Sequence, residues 1–257
     1  FGVQMDWDSH QAAVRVAHAT LQSQVVTLEA RGGVSGLKAG SAWTLEEGSL
    51  RVDADLTFLQ LKLRSFLRMP EQADFGGKVN FKAGYQNRKL DAKATLEGVS
   101  ASGVGLTIPL DLVVDQKSRL EENGDLKVDH LKITGSWIDF EVKGKVASVL
   151  KPERQAKGFW TLSLHPQALG TQFASMMTGI TLGGSDLSGA GSFEMSTGRG
   201  RAGGQLQLEG FALTEPLHPP SVLHAAPLSL SFSEEGGRRQ IALTCDSLAF
   251  EGGKYGG

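Results

Sequence analysis

Six histidines, one cysteine and a few closely spaced carboxylates are the residues whose chemistry could go beyond packing. The histidines stand at His10, His18, His130, His165, His218 and His224. None forms the HxH, HxxxH or HExxH spacing that brings two imidazoles to one side of a strand or helix turn, and no carboxylate cluster joins one at ligand spacing. No metal site is expected. His130, between Asp129 and Leu131, reads as a solvated rim residue of a strand, and His218 and His224 flank PPSVL, which reads as a surface connection. Ser185 follows glycines in GGSDLSG but lacks the GxSxG elbow that exposes a nucleophile. Cys245 is the only cysteine, so neither an intramolecular disulfide nor a cysteine-based metal cluster can form; beside Ile241 and Leu243 it reads as a small hydrophobe. Asp53 and Asp55, or Asp139 and Glu141, are two residues apart and so share a strand face, as a glycosidase pair could. Lysines share that face, which makes it the charged side of a strand. The glycines and arginines of GAGSFEMSTGRGRAGG match no phosphate-binding spacing, and no helix pattern follows to present its N-terminus, so a hairpin turn is expected. No catalytic constellation emerges; neither an enzyme nor a cofactor is expected.

The elements around these residues repeat one pattern. In GDLKVDHLKITGSWIDFEVKGKV, the residues Ile138, Phe140, Val142 and Val146 alternate with Asp139, Glu141, Lys143 and Lys145. A period of two puts one set on each side of an extended chain, which is the signature of a half-buried antiparallel strand. SLRVDADLTF carries Leu50, Val52, Ala54, Leu56 and Phe58 in the same way; KVNFKAG carries Val79, Phe81 and Ala83; KLDAKATLEG carries Leu90, Ala92, Ala94 and Leu96. GQLQLEGF, PLSLSF and RQIALTC continue it with Leu206 and Leu208, with Leu228, Leu230 and Phe232, and with Ile241 and Leu243. Asn87, Asn123 with Gly124, and Gly236 with Gly237 supply hairpin turns. The result is a meander, without the strand, long helix, strand rhythm of a parallel sheet.

One short amphipathic helix is expected near 166–178, opening at Pro166, with Leu169, Phe173, Met176 and Met177 on one face and Gly179 as its stop. FLQLKLRSFLRMPEQ reads as a strand giving way to a helical turn before Pro70. The pattern breaks at SVLKPERQAKG, which divides the chain into segments 1–151 and 152–257, or leaves one continuous domain with a long turn. The triplets at 96–98, 133–135, 208–210 and 250–252 hint at repeated hairpin pairs.

The chain has 257 residues, 40% hydrophobic and 21% charged, with 33 glycines, a composition that excludes disorder and suits short strands joined by many turns. A formal charge of −2 with interspersed signs leaves no basic footprint for nucleic acid. No run approaches the roughly 20 apolar residues that span a bilayer, and FGVQMDWDSH is no signal peptide. Beginning at Phe1 and stopping in mid-pattern, the sequence reads as a fragment of a longer protein whose membrane anchor lies elsewhere.

DLKVDHLKITGSWIDFEVKGKV, with PQALGTQFASMMTGITLGGSDLSGAGSFEMSTG and GGQLQLEGFALTEP, resembles the AsmA-like family of bacterial envelope proteins, including its TamB-type members; the similarity is strongest over 124–215 and contains no catalytic motif. The resemblance implies a long twisted antiparallel meander curled into an open hydrophobic groove. It also implies a periplasmic location, an inner-membrane anchor, phospholipid as cargo and outer-membrane proteins as further partners. The groove would be lined by Val79, Phe81, Leu90, Leu96, Ile138, Phe140, Val142, Leu206, Leu208, Leu228, Leu230, Phe232, Ile241 and Leu243, with Lys78, Lys82, Lys93, Glu141 and Lys143 in water. A β-sandwich or closed barrel, serving as a structural or adhesive envelope module, would use the same alternation to bury an ordinary core.

Overall fold

In the computed structural model nearly every alternating run is a strand, because extension is the only backbone state that sends successive side chains to opposite sides. The structure describes residues 2–8, 10, 13–36, 44–63, 74–102, 106–147, 149, 155–174, 179–196, 199–207, 211–214, 221–225, 228–235, 238–245 and 248–251. Two units divide the chain, Phe1–Leu120 and Glu121–Gly257. The break at SVLKPERQAKG falls in the second unit, in the connection between its second and third strands.

The first unit contains β1 (Gly2–Asp8), β2 (Ala13–Gln22), β3 (Val26–Ser35), β4 (Thr44–Leu45), β5 (Gly48–Asp55), α1 (Leu56–Leu63), β6 (Asp74–Gln86), β7 (Lys89–Ser102) and β8 (Leu106–Leu120). Its ladder runs β1-β2-β3-β5-β6-β7-β8, antiparallel at each step, with β4 beside β3. Asn87 and Arg88 join β6 to β7 with φ of 50° and 62°, the left-handed pair that matches hairpin twist. The second unit contains β9 (Leu126–Gly135), β10 (Ile138–Ala147), β11 (Gln155–Leu164), α2 (Pro166–Gln172), β12 (Thr181–Gly183), β13 (Leu187–Ser196), β14 (Arg199–Gln207), β15 (Phe211–Thr214), β16 (Ser221–Ala225), β17 (Leu228–Glu235), β18 (Arg238–Cys245) and β19 (Leu248–Glu251). Its ladder is β9-β10-β11-β13-β14-β17-β18, and β12-β15-β16-β19 form a separate sheet. Among the described residues neither ladder closes on itself, so the protein is a mainly β, open antiparallel sheet and not a barrel.

Two helices replace the single one expected. Leu56 and Phe58 do not extend β5; they open α1, because the Asp55 carboxylate accepts the Phe58 N–H at 3.2 Å and caps a helix there. Leu59, Leu61 and Leu63 are therefore helical, although their alternation resembles a strand. α2 begins at Pro166 as expected but ends at Gln172, with Phe173 its C-cap; Met176 and Met177 lie outside the described residues. α1 is fastened by Gln60, only 4% exposed, whose side-chain nitrogen donates to Asp74 Oδ1 at 2.7 Å and whose side-chain oxygen accepts from the Phe75 N–H. Gln60→Ala should lower the stability of this unit by about 1–3 kcal/mol, the cost of leaving a half-buried donor unmatched. Faster hydrogen exchange at the Phe75 amide would report it.

Among the described residues, one-residue bulges in β2, β7 and β9 keep the alternation in phase. β2 has one extra residue between Val16 and Ala19, opposite Gly32 and Ala30. β7 has one between Leu96 and Val99, opposite Leu112 and Leu110, and β9 one between Val128 and Leu131, opposite Gly144 and Val142. Residues three apart would face opposite ways in a regular strand; the extra residue returns them to the same side. The Gly98 N–H at the β7 bulge is taken up by Asp111 Oδ1 at 2.7 Å.

Candidate functional site

Residues opposite one another in an antiparallel ladder share a face, so the register turns single alternating strands into rows. In the first unit one row reads Leu21, Leu28, Val52, Phe81, Ala94 and Val114, and the next reads Val3, Ala19, Ala30, Leu50, Ala83 and Ala92. A third reads Val26, Ala54, Val79, Leu96 and Leu112. The other side carries Glu29, Arg51, Lys82, Lys93 and Asp115 in one line. One face of the sheet is thus mostly apolar, with Gln116 and Ser118 of β8 ending two of its rows, and the other carries the charged side chains.

The second unit repeats this. Ile133, Phe140, Leu162, Gly189, Leu206 and Leu228 form a row, flanked by Leu131, Val142, Trp160, Gly191, Gly204, Leu230 and Leu243. A further row holds Val128, Gly144, Gly158, Phe193, Ala202, Phe232 and Ile241. Its glycines make room for aromatic rings. A Cβ on Gly191 would fall 2.6 Å from Cε2 and Cζ2 of Trp160, and one on Gly158 would fall 2.8 Å from Cζ of Phe193. Backbones also approach on this side: a Cβ on Gly144 would lie 3.0 Å from Gly158 Cα, and in the first unit one on Gly32 would lie 3.1 Å from Gly48 Cα. Such glycine pairs let neighbouring backbones approach more closely than residues with a Cβ would allow.

Most apolar side chains of this face are half-buried or exposed among the described residues. Among the described residues the only fully buried hydrophobics are Ala13, Ala101 and Leu182, and no large side chain is fully buried. Met5 and Trp7 remain 62% and 61% exposed. In the first unit the face holds a shallow cavity of about 610 Å³ between Val3, Met5, Val14, Val16, Leu50, Tyr85 and Leu90. A soluble protein seldom leaves so continuous an apolar surface without an occupant.

The expected lining residues fall on this face in both units. Val79, Phe81, Leu90 and Leu96 are half-buried on β6 and β7; Ile138, Phe140, Val142, Leu206 and Phe232 are half-buried in the second unit. The backbone register puts Leu228, Leu230, Ile241 and Leu243 there as well, while Leu208 lies outside the described residues. Val3, Met5 and Trp7 in the first unit, and Leu131, Ile133, Trp160, Leu162 and Phe193 in the second, lie on the apolar faces of their own units but were not among the expected set. Alternation in VQMDWD and FWTLSL was the available signal.

The charged side is knit by ion pairs. Lys78, Lys82, Lys93 and Lys143 are exposed, and Glu141 is half-buried with Lys143 Nζ 2.9 Å away. Asp53 accepts from Arg51 at 2.7 Å and from Asn80, so the carboxylate pairs are engaged with neighbours on the strand surface. Lys145 lies 2.8 Å from Glu121 and 2.9 Å from Asp125, which together raise its pKa. Arg15 grips Glu46 through two nitrogens, at 2.8 and 3.1 Å, and that hydrogen bonding lowers the Glu46 pKa. Among the described residues no group of three histidine, cysteine or acidic side chains is placed to hold a metal. Ser185 is exposed in a bend, and His218 lies outside the described residues. His165 lies between two carboxylates, Asp186 and Asp139, a contact its sequence neighbours do not reveal.

Among the described residues no helix is long and apolar enough to cross a membrane. Comparison with protein-family models, with curated proteins and with solved structures finds no match to this chain.

Proposed function

We propose that this chain binds acyl chains of lipids along the apolar face of its open sheet, as a periplasmic segment of an envelope protein concerned with phospholipid traffic between membranes or with outer-membrane integrity. The observation that carries the reading is the face itself, a series of mostly apolar rows in each unit, with no large side chain fully buried among the described residues. An acyl chain suits it because the face offers area without directional partners. At about 0.8 kcal/mol per buried methylene, some eight methylenes contribute about 6 kcal/mol before the cost of ordering the chain. Apolar rows without directional partners fit a surface that holds successive lipid segments about equally. The bacterial envelope setting, with an inner-membrane anchor elsewhere in the protein, rests on the sequence resemblance alone.

Mass spectrometry of lipids extracted from detergent-free protein tests the reading. Stoichiometric phospholipid is expected in the parent, a loss of about tenfold or more in Phe140→Asp, and parental levels in Lys143→Asp on the opposite face, each variant first shown to be folded by circular dichroism. A folded, lipid-free parent would overturn the proposal in favour of a structural module, and equal lipid in both variants would move binding away from this face.

A further inference from the structure

Three strand ends of the second unit carry the last apolar row of its large sheet, Ile138, Leu164 and Leu187. Each adjoins one member of a charged knot: Asp139 follows Ile138, His165 follows Leu164 and Asp186 precedes Leu187. The imidazole stands between the two carboxylates, with Nδ1 2.9 Å from Asp186 Oδ1 and Nε2 3.4 Å from Asp139 Oδ2. Ionised carboxylates only accept, so engaging both requires a proton on each ring nitrogen, which is the imidazolium. His165 is also where α2 begins. Its carbonyl accepts the Leu169 N–H at 2.8 Å, and its own N–H donates to the Trp137 carbonyl at 3.0 Å. The Phe173 ring beyond the helix meets Trp137 edge-on, with centroids 5.4 Å apart. Gly170 of α2 lies against Leu182 of β12, where a Cβ would come within 3.3 Å of the Leu182 Cβ.

Among the described residues the other charge facing this knot is Lys132 of β9, whose Nζ lies 3.7 Å from Asp139 Oδ1. α2 adds none: PQALGTQ contains no ionisable side chain. One positive imidazole therefore holds two carboxylates that, among the described residues, would otherwise stand side by side with Lys132 to offset them.

We propose that His165 is a proton-operated latch: protonated, it draws the ends of β10, β11 and β13 together and seats α2 beside the last apolar row, and on losing its proton it releases them. The latch regulates one end of the face assigned above to acyl chains, and only in that respect does it rest on that assignment. The hydrogen bond to Asp186 raises the His165 pKa most, burial opposes it, and Asp139 adds to the rise. A folded pKa above the unfolded one makes the proton stabilising. That stabilisation is fully present below the unfolded imidazole value of about 6.5 and is lost as pH rises through the higher folded value. The latch closes on the acid side and opens on the alkaline side.

Site-resolved NMR of the intact chain tests this without any ligand. The His165 ring should titrate above the ordinary imidazole value in the parent and lower in Asp186→Asn. Protection of the Leu169 and Phe173 amides, corrected for intrinsic exchange, should fall about tenfold or more across that titration. His165→Arg, charged throughout, should keep protection at all pH values, and His165→Gln should lack it at all; should either fail to fold, Asp186→Asn still moves the midpoint. An imidazole that titrates at or below the ordinary value, or α2 amides whose protection ignores its titration or is missing at every pH, would overturn the latch. In a separate arm, cis-parinaric acid as an acyl probe should dissociate faster above the midpoint than below it. Failure of the probe to bind at any pH counts against the acyl-chain reading, whereas binding indifferent to the titration removes the regulatory role.

Discussion

Gly77→Ala is expected to cost the first unit about 2–6 kcal/mol, although it adds one methyl group. Gly77 has φ of +91°, a region that residues with a Cβ enter only at a cost of about 1–3 kcal/mol. The methyl would have no space: its position lies 2.5 Å from the carbonyl carbon and oxygen of Gly98 and 2.6 Å from the Glu97 oxygen. These are backbone atoms of the neighbouring strand, not the tip of a flexible side chain, so relief requires moving the β6–β7 ladder. Overpacking of that kind adds about 1–3 kcal/mol. The place matters because Gly77 faces the β7 bulge that returns Val99 to the side of Leu96. Because the chain divides into two units, a single melting temperature would blend them. Hydrogen exchange resolved to β6 and β7 is the suitable measurement, with Gly84→Ala as control, since nothing lies within 4 Å of a Cβ there. Equal protection in the two variants would show that the bulge tolerates a side chain and does not hold the register.

How far such features can be read from the amino acids depends on the range of the interaction. KVNFKAG and KLDAKATLEG place Val79, Phe81, Leu90 and Leu96 on one face by period alone, since each strand keeps its phase through those residues. The hairpin at Asn87 is equally local. LTFLQLKL shows the limit of periodicity: Leu59, Leu61 and Leu63 alternate like a strand, but the Asp55 cap favours a helix. The join of single strands into rows depends on register, which is settled by pairing between distant residues and leaves no mark at any one position. The glycines under Trp160 are similar: GAG and AGG read as turns until the ladder places Gly191 and Gly204 mid-strand beneath the indole. The latch is hardest to see, since His165 meets Asp139 across 26 residues and Asp186 across a helix and a short strand.

Deleting one residue should have opposite consequences on the two sides of the β9 bulge. Lys143 is the single residue of β10 between Val142 and Gly144, and across from it β9 carries Asp129 and His130. Removing Lys143 shifts the remainder of β10 by one, which turns Val146 to the charged side and Lys145 to the apolar one, away from Glu121 and Asp125. Loss of a half-buried valine and transfer of an ammonium to an apolar surface together should cost about 3 kcal/mol or more. Removing His130 instead deletes the extra residue. Leu131 and Val128 then stand two apart, and ordinary alternation keeps both on the apolar face, so a cost below about 1.5 kcal/mol is expected from lost local twist. Urea titration of the second unit, followed by exchange at the β10 and β11 amides, compares the two deletions directly. A chain that needs only the right number of residues in each strand would suffer equally from both. A sheet held by the phase of its apolar face should tolerate the loss of His130 and not that of Lys143, and an inverted ranking would mean that the bulge shapes the sheet by curvature rather than by phase.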